Sequence, residues 1–299
     1  MLIGNTEVVD SFAEAFGMRY TRLLVTAEDE FWLDAALREF TGYGSSVISC
    51  DLEIGVERLV GPTESPDGRP GASVLAFGFH VDAIGKAMAN RVGQCIMTCP
   101  STAIFDGLDD PELEHFPLGK QIRFFGDGFQ KSKVIGGDRF WRIPVMDGEF
   151  TICDIGHVAK GVAGGNIIIQ GRTLRATLDA ARRGVEAIAP LEGSITPFPG
   201  GVARSGSKVG SRYKGLKAST SDSYCPTLRG RVDSKLHEAA NCALEIVVDG
   251  ISEAAVATAM TAAMQAATGD NIVAITAGNY GGQLGKYHFH LRQLLSAMK

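Results

Sequence analysis

The chain has 299 residues, 45% apolar and 21% charged, with 29 lysines and arginines against 34 acids for a net charge of −5. This is the make-up of a globular protein large enough for two modest cores, and it argues against a nucleic-acid backbone as partner, because such binders carry a basic face or stripe. Residues 1–9 lack a basic start and no apolar run nears the about 20 residues that cross a bilayer, so neither export nor insertion is indicated and the cytoplasm is expected.

In chain order, residues 22–27 read as an apolar strand and 30–40 as a helix by periodicity. A second strand is expected at 46–50, after the break at Gly42-Tyr43-Gly44. A polar loop containing Ser65-Pro66-Asp67-Gly68-Arg69-Pro70-Gly71 leads to a strand at 73–79, a helix at 81–91 and a strand at 94–98. The first third therefore reads βαββαβ. Residues 121–125 and 140–145 read as further strands around a Gly-rich turn. The order then recurs: strand 165–170, helix 174–188, short strand 194–196, strand 243–249, helix 252–266 and strand 271–276, with a terminal strand at 287–291. Two such units predict an α+β protein of duplicated ferredoxin-like (βαββαβ) lobes, 1–155 and 156–299, with an inserted β-hairpin in the first. The lobes differ mainly in the loop between their second and third strands, 51–72 in one and 197–242 in the other.

The second of these loops concentrates positive charge. Between Glu192 and Asp222 the sequence has five lysines or arginines and no acid. Glycines such as Gly200 and Gly201 let backbone approach a ligand, the amides and the hydroxyls of Ser205 and Ser207 donate hydrogen bonds, and Arg204, Lys208, Arg212, Lys214 and Lys217 supply charge. The composition fits a receptor for a small anion. A flexible Gly/Ser linker would share it, but Pro197 and Pro199 around Phe198 favour order, and loops this long in compact domains are functional or disordered. A nucleotide P-loop is rejected: from Gly201 the chain reads GVARSGSK, with Ser207 in the lysine's place, Lys208 one late and no helical pattern after it.

Aligning the two units at their helix starts, Val81 with Ile251, sets Leu75 against Glu245. An acid thus stands inside Cys242-Ala243-Leu244-Glu245-Ile246-Val247-Val248, where burial is costly without a partner. Two readings follow: a buried salt bridge to a cation of the loop, or a carboxyl of raised pKa able to give a proton near neutrality. Other chemistry finds little support. The six cysteines are irregularly spaced and read as reduced and structural. Cys95 and Cys99 have no second pair, and His288 and His290 share a strand face without a third ligand, so no metal site is expected. Gly126-Asp127-Gly128 and 161–165 read as tight turns, not a dinucleotide fingerprint. No Gly-x-Ser-x-Gly elbow marks a serine nucleophile, and no RNP-like aromatic pair marks an RNA-binding sheet.

Several multi-residue stretches, in one order along nearly the whole chain, carry a resemblance. They are Asp10-Ser11-Phe12-Ala13-Glu14-Ala15-Phe16, Thr41-Gly42-Tyr43-Gly44, Pro66-Asp67-Gly68-Arg69-Pro70-Gly71, Phe124-Phe125-Gly126-Asp127-Gly128, Gly161-Val162-Ala163-Gly164-Gly165-Asn166, Phe198-Pro199-Gly200-Gly201, Ser207-Lys208-Val209-Gly210-Ser211 and Ala277-Gly278-Asn279-Tyr280-Gly281-Gly282. Together they resemble the motifs of formylmethanofuran:tetrahydromethanopterin formyltransferases. The resemblance implies two ferredoxin-like lobes, a proximal one at 1–155 and a distal one at 156–299. It also implies a homo-oligomer, commonly a homotetramer, with active sites near subunit interfaces and no metal or prosthetic group. The implied reaction moves a formyl group directly between N5 of tetrahydromethanopterin and the amine of methanofuran or an analogue, both polyanions. Glu245 matches the family's catalytic glutamate, and Gly200, Gly201, Arg204, Ser205, Ser207 and Lys208 would bind anionic substrate. The mild acidity resembles members from methylotrophic bacteria more than strongly acidic archaeal ones. Such a member would run the transfer toward a methanofuran analogue during formaldehyde oxidation, in complex with formyl-hydrolase subunits. The alternative is a non-catalytic ferredoxin-like module that binds small anionic effectors at a subunit interface and has no need of Glu245.

Overall fold

A computed structural model describes residues 1–108 and 110–297; the last two residues of the expected second lobe lie outside the described residues. The fold is α+β, with mostly antiparallel sheet, and divides into two units. One is Met18–Lys160. The other joins Met1–Gly17 to the chain from Gly161 onward. Among the described residues, no helix is long and apolar enough to cross a membrane.

In the unit of residues 18–160, neighbouring strands run in the order Glu53–Val60, Gly71–Gly78, the 18–26 part of Phe12–Thr26, Ala103–Asp106, Gly148–Cys153, Asp138–Val145 and Lys131–Ile135. Helix Glu30–Thr41 starts where Asp29 accepts from the amide of Trp32 at 3.1 Å, and it buries Leu33, Ala36, Leu37 and Phe40, the spacing of one helical face. These residues pack with Ile84 and Met88 of helix Val81–Arg91 on Val74 and Ala76 of the sheet. Ser73, Leu75 and Phe77 alternate to the other face, where they are also buried.

Three expected strands are placed elsewhere. Residues 46–50 form turns and the strand is Glu53–Val60, because Arg91 draws the preceding loop onto itself: its guanidinium donates to the carbonyls of Phe40, Gly42 and Tyr43 and to Asp51. The loop before Gly71 is correspondingly shorter than 51–72. Residues 94–98 continue helix Val81–Arg91 as a π-turn over Val92–Ile96 that buries Ile96, and the strand follows at Ala103–Asp106. Residues 121–125 are helical, within Gly119–Ile122 and the 3-10 turn Arg123–Gly126. The inserted hairpin is instead Lys131–Ile135 with Asp138–Val145, turned at Gly136-Gly137, whose φ of +65° and +103° suit a tight two-residue hairpin loop.

In the other unit the strand order is Ser194–Ile195, Cys242–Gly250, the 161–171 part of Ile155–Gly171, Ile272–Thr276, Thr6–Val8 and Leu2–Ile3. Helices Leu174–Ile188 and Glu253–Ala266, capped by Thr173 and Ser252, lie on one face. Their Ala180, Val256, Ala259 and Met260 pack with Ile167, Ile169, Ile246 and Val248. Where 155/156 was expected as the boundary, the observed units part at Gly17/Met18 and at Lys160/Gly161. Thr6–Val8 lies parallel to Ile272–Thr276, with Thr6 Oγ1 donating to the Ile272 carbonyl at 2.9 Å, and residues 12–15 pair with Tyr287–His290, so the first seventeen residues belong to this unit.

Candidate active site in the C-terminal unit

The site is built by the long loop folding back over the strand that carries Glu245. After Ser194–Ile195 the chain makes the 3-10 turn Pro199–Gly201. Gly201 has φ +76°, and a Cβ there would stand 2.6 Å from Val185 Cγ2 and 2.8 Å from Thr196 Oγ1, so the turn requires glycine. It delivers Ala203 to the strand edge, where its amide donates to the Glu245 carbonyl at 2.8 Å and its carbonyl accepts from the Glu245 amide at 3.0 Å. Beyond it Gly206 packs directly on Ser221, and Lys208–Val209 pairs with Ala218–Ser219 as a small ribbon. Lys208 Nζ lies 3.0 Å from Asp222 Oδ1, and that bond holds the Asp222 carboxyl below its ordinary value. The segment is folded, not a free linker.

Within Cys242–Gly250, Leu244, Ile246 and Val248 face the helices and Glu245 the opposite side, toward the loop. Only 4% of Glu245 is exposed. Ser207 Oγ donates to its Oε1 at 2.9 Å, while Oε2 is buried without a hydrogen-bond partner. Among the described residues no lysine, arginine or histidine forms an ion pair with it, so the salt bridge to a loop cation is not formed. Burial pushes its carboxyl up to about 7, against the opposing pull of the Ser207 hydroxyl and amide. Two phenols complete the surroundings. Tyr224 lies beside Thr276, and Tyr280 donates to the Ser207 carbonyl at 2.8 Å and accepts the Val209 amide at 2.9 Å. Burial raises both phenols, and the neighbouring Glu245 adds to this.

Glu245, Ile168, Arg204, Ser205 and Tyr224 line a cavity of about 30 Å³, room for a water molecule or two. Of the residues expected to bind substrate, Arg204 and Ser205 are exposed and line this cavity, Ser207 contacts Glu245, and Lys208 is engaged with Asp222. Gly200 and Gly201 lie upstream in the turn that aims the loop, and Arg212, Lys214 and Lys217 are exposed on the ribbon. Composition and charge did not single out Tyr224, Tyr280 or Asn166. Asn166 accepts the Gly278 amide at 2.6 Å and so secures the segment that leads to Tyr280. The motif stretches containing Asn166 and Tyr280 were the available signal.

The comparisons with known proteins agree along the whole chain. Residues 1–145 match the family model described as formylmethanofuran-tetrahydromethanopterin formyltransferase, and residues 148–294 the one described as FTR, proximal lobe. The name proximal thus belongs to the second half, the reverse of the expectation above. The chain is 46% identical over 302 residues to a formylmethanofuran–tetrahydromethanopterin formyltransferase of Methylobacillus flagellatus, covering 99% of this chain and 100% of that protein. It is 45% identical to the corresponding protein of Methanocaldococcus jannaschii, over 98% of this chain and 99% of that one. Among solved structures, it matches a chain of the formyltransferase/hydrolase complex from Methylorubrum extorquens in complex with methylofuran, with TM-score 0.94, 46% identity, and coverage of 99% of this chain and 98% of that chain. The formylmethanofuran:tetrahydromethanopterin formyltransferase from Methanosarcina barkeri matches with TM-score 0.92 and 41% identity, covering 98% of this chain and 100% of that one. A buried acid at the foot of an ordered basic loop, and likeness of this extent in both sequence and fold, lead to one conclusion: the chain belongs to the formylmethanofuran:tetrahydromethanopterin formyltransferase family.

Proposed function

We propose that Glu245 is the acid of a direct formyl transfer between N5 of tetrahydromethanopterin and the amine of methanofuran or an analogue. The protein is a formyltransferase of one-carbon metabolism, and these two carriers are its substrates. The observation that supports the role of Glu245 is its burial with one satisfied oxygen and no cation, which keeps a proton available near neutrality. The acceptor amine attacks the formyl carbon and forms a tetrahedral intermediate. Glu245 gives its proton to the oxyanion or to the departing nitrogen, and the carboxylate so formed takes up the proton that the attacking amine loses, which restores the acid. No covalent intermediate is needed, because holding two bound carriers together can supply on the order of 7 kcal/mol by proximity and orientation.

Arg204, Ser205, Ser207 and Lys208, with the Gly200-Gly201 turn, are read as the grip on the anionic carriers. The two units are read as a duplicated ferredoxin-like pair with an inserted hairpin, a reading supported by their like strand orders. We further read the protein as cytoplasmic and oligomeric, as a homotetramer or together with formyl-hydrolase subunits. The relative in the Methylorubrum extorquens complex supports the latter. The test is spectroscopic: the purified protein consumes formyltetrahydromethanopterin only when methanofuran or its analogue is added. An effector-binding module would bind carriers and leave the signal flat.

A further inference from the structure

Glu14 lies in the part of strand Phe12–Thr26 that belongs to the C-terminal unit, and only 2% of it is exposed. Its Oε2 accepts the amides of Tyr280 and Gly282, the second at 3.0 Å. Its Oε1 accepts those of Leu284 and Gly285 at 2.8 and 2.9 Å. Burial acts to raise this carboxyl, but the four amides outweigh it and hold Glu14 below the ordinary carboxylate value, hence charged. Residues 278–285 have no helix or strand of their own; Asn166 holds Gly278 at one end, and Glu14 gathers the amides of Tyr280, Gly282, Leu284 and Gly285. The approach is close: a Cβ on Gly285 would stand 2.7 Å from the Ala15 carbonyl oxygen.

From that loop the Tyr280 hydroxyl reaches the basic loop, where it donates to the Ser207 carbonyl and accepts the Val209 amide at 2.8 and 2.9 Å. It thereby grips the backbone on both sides of Lys208, and the adjacent Ser207 side chain meets Glu245 at 2.9 Å. We propose that Glu14 is a positioning residue for formyl transfer: through the loop amides it fixes Tyr280, and through Tyr280 it holds Ser207 on Glu245. The proposal rests on the reading of Glu245 as the acid.

The groups around Glu245 make the consequence readable. Ser207 and Tyr280 come from the two loops, Tyr224 from the turn Asp222–Tyr224, Ile168 from the neighbouring strand with Thr276 on the strand beyond it, and Arg204 lines the shared cavity without pairing with the carboxylate. The Ser207 hydroxyl favours the ionised carboxyl, so loosening it raises the pKa further and carries the alkaline limb of a kcat profile to higher pH.

The experiment uses the purified full chain labelled with 13C at glutamate carboxyls, the Glu245 signal being assigned by its absence in Glu245→Gln. Glu14→Gln, Tyr280→Phe and Ser207→Ala are each expected to move the Glu245 titration and the alkaline limb of kcat upward by about one pH unit, the worth of one charge-assisted hydrogen bond. KM should change less than kcat. Tyr280→Phe combined with Ser207→Ala should shift no further than Ser207→Ala alone, since both act through one contact. Should Glu14→Gln not fold, Tyr280→Phe carries the test. An unmoved titration in a normally folded Tyr280→Phe, or additive shifts in the double variant, overturns the relay. Full activity of Glu245→Gln while the titrations of the other variants still move would overturn the catalytic reading and leave the relay standing.

Discussion

Glu57 and Glu245 are both buried acids on sheet strands, 5% and 4% exposed, and both accept from a serine hydroxyl, yet they are set up for different ends. In the unit of residues 18–160, Arg22 donates to both oxygens of Glu57 at 2.9 and 2.7 Å and Ser73 adds a third bond at 2.6 Å. In the other unit, Glu245 has Ser207 on one oxygen and nothing on the second. Burial is the same; compensation differs. A carboxylate with a bidentate arginine is held as a fixed charge, while one with a single neutral donor is left poised between its two forms. Matched at the helix starts the structure shows, Val81 and Glu253, the counterpart of Glu245 is Ser73, buried and uncharged, so the acid is a departure specific to one unit.

The contrast can be broken most severely by replacing Glu245 with glutamine. If it is the acid, kcat falls by about 10²–10⁴ while unfolding in urea stays cooperative; an unchanged rate would make it a structural acid like Glu57. Replacing Arg22 by methionine is the converse intervention. It removes the bidentate cation from buried Glu57 while the Ser73 hydroxyl stays, at a cost of about 3–5 kcal/mol for full burial. Arg22 is itself about a quarter exposed, so the lower end is expected in urea unfolding. The alkaline limb of kcat should stay where it is, and its movement would mean the two acids are coupled.

The smallest effect is in the pH dependence of stability. Glu245 has its folded pKa raised from 4.5 to about 7, so its favourable contribution is fully present below about 4.5 and is lost as pH rises through about 7. Glu245→Gln should therefore gain relative to the native chain by up to about 3 kcal/mol between acid and mildly alkaline pH, followed by thermal or urea unfolding. A flat difference would show that the carboxyl is no harder to ionise in the folded chain than in the unfolded one.

Much of this was legible in the sequence. Helix Leu174–Ile188 and the strand carrying Glu245 follow from apolar spacing, because the core-facing residues keep their periods. The second strand of the first unit was hidden by its own chemistry. Glu53–Val60 carries two buried acids, Glu53 and Glu57, and its register slips between Val56 and Arg58, so the alternation that marks a strand is lost. Residues 94–98 are apolar enough for a strand, and only tertiary packing of Ile96 makes them the end of a helix. In the site, an acid among aliphatics drew attention to Glu245 at once. Glu14 could not be found that way. Its role depends on four backbone amides more than 260 residues away, and amides leave no mark in a sequence.

The placement of Met1–Gly17 with the C-terminal unit also sets an order of events during synthesis. Residues 18–160 can close on themselves as soon as they emerge. Thr6–Val8 must wait for Ile272–Thr276, and the strand around Glu14 for Tyr287–His290, almost the full length of the chain later. Contacts so distant in sequence form slowly. The sheet of the unit that carries Glu245 therefore cannot be completed before Ile272–Thr276 and Tyr287–His290 have been made.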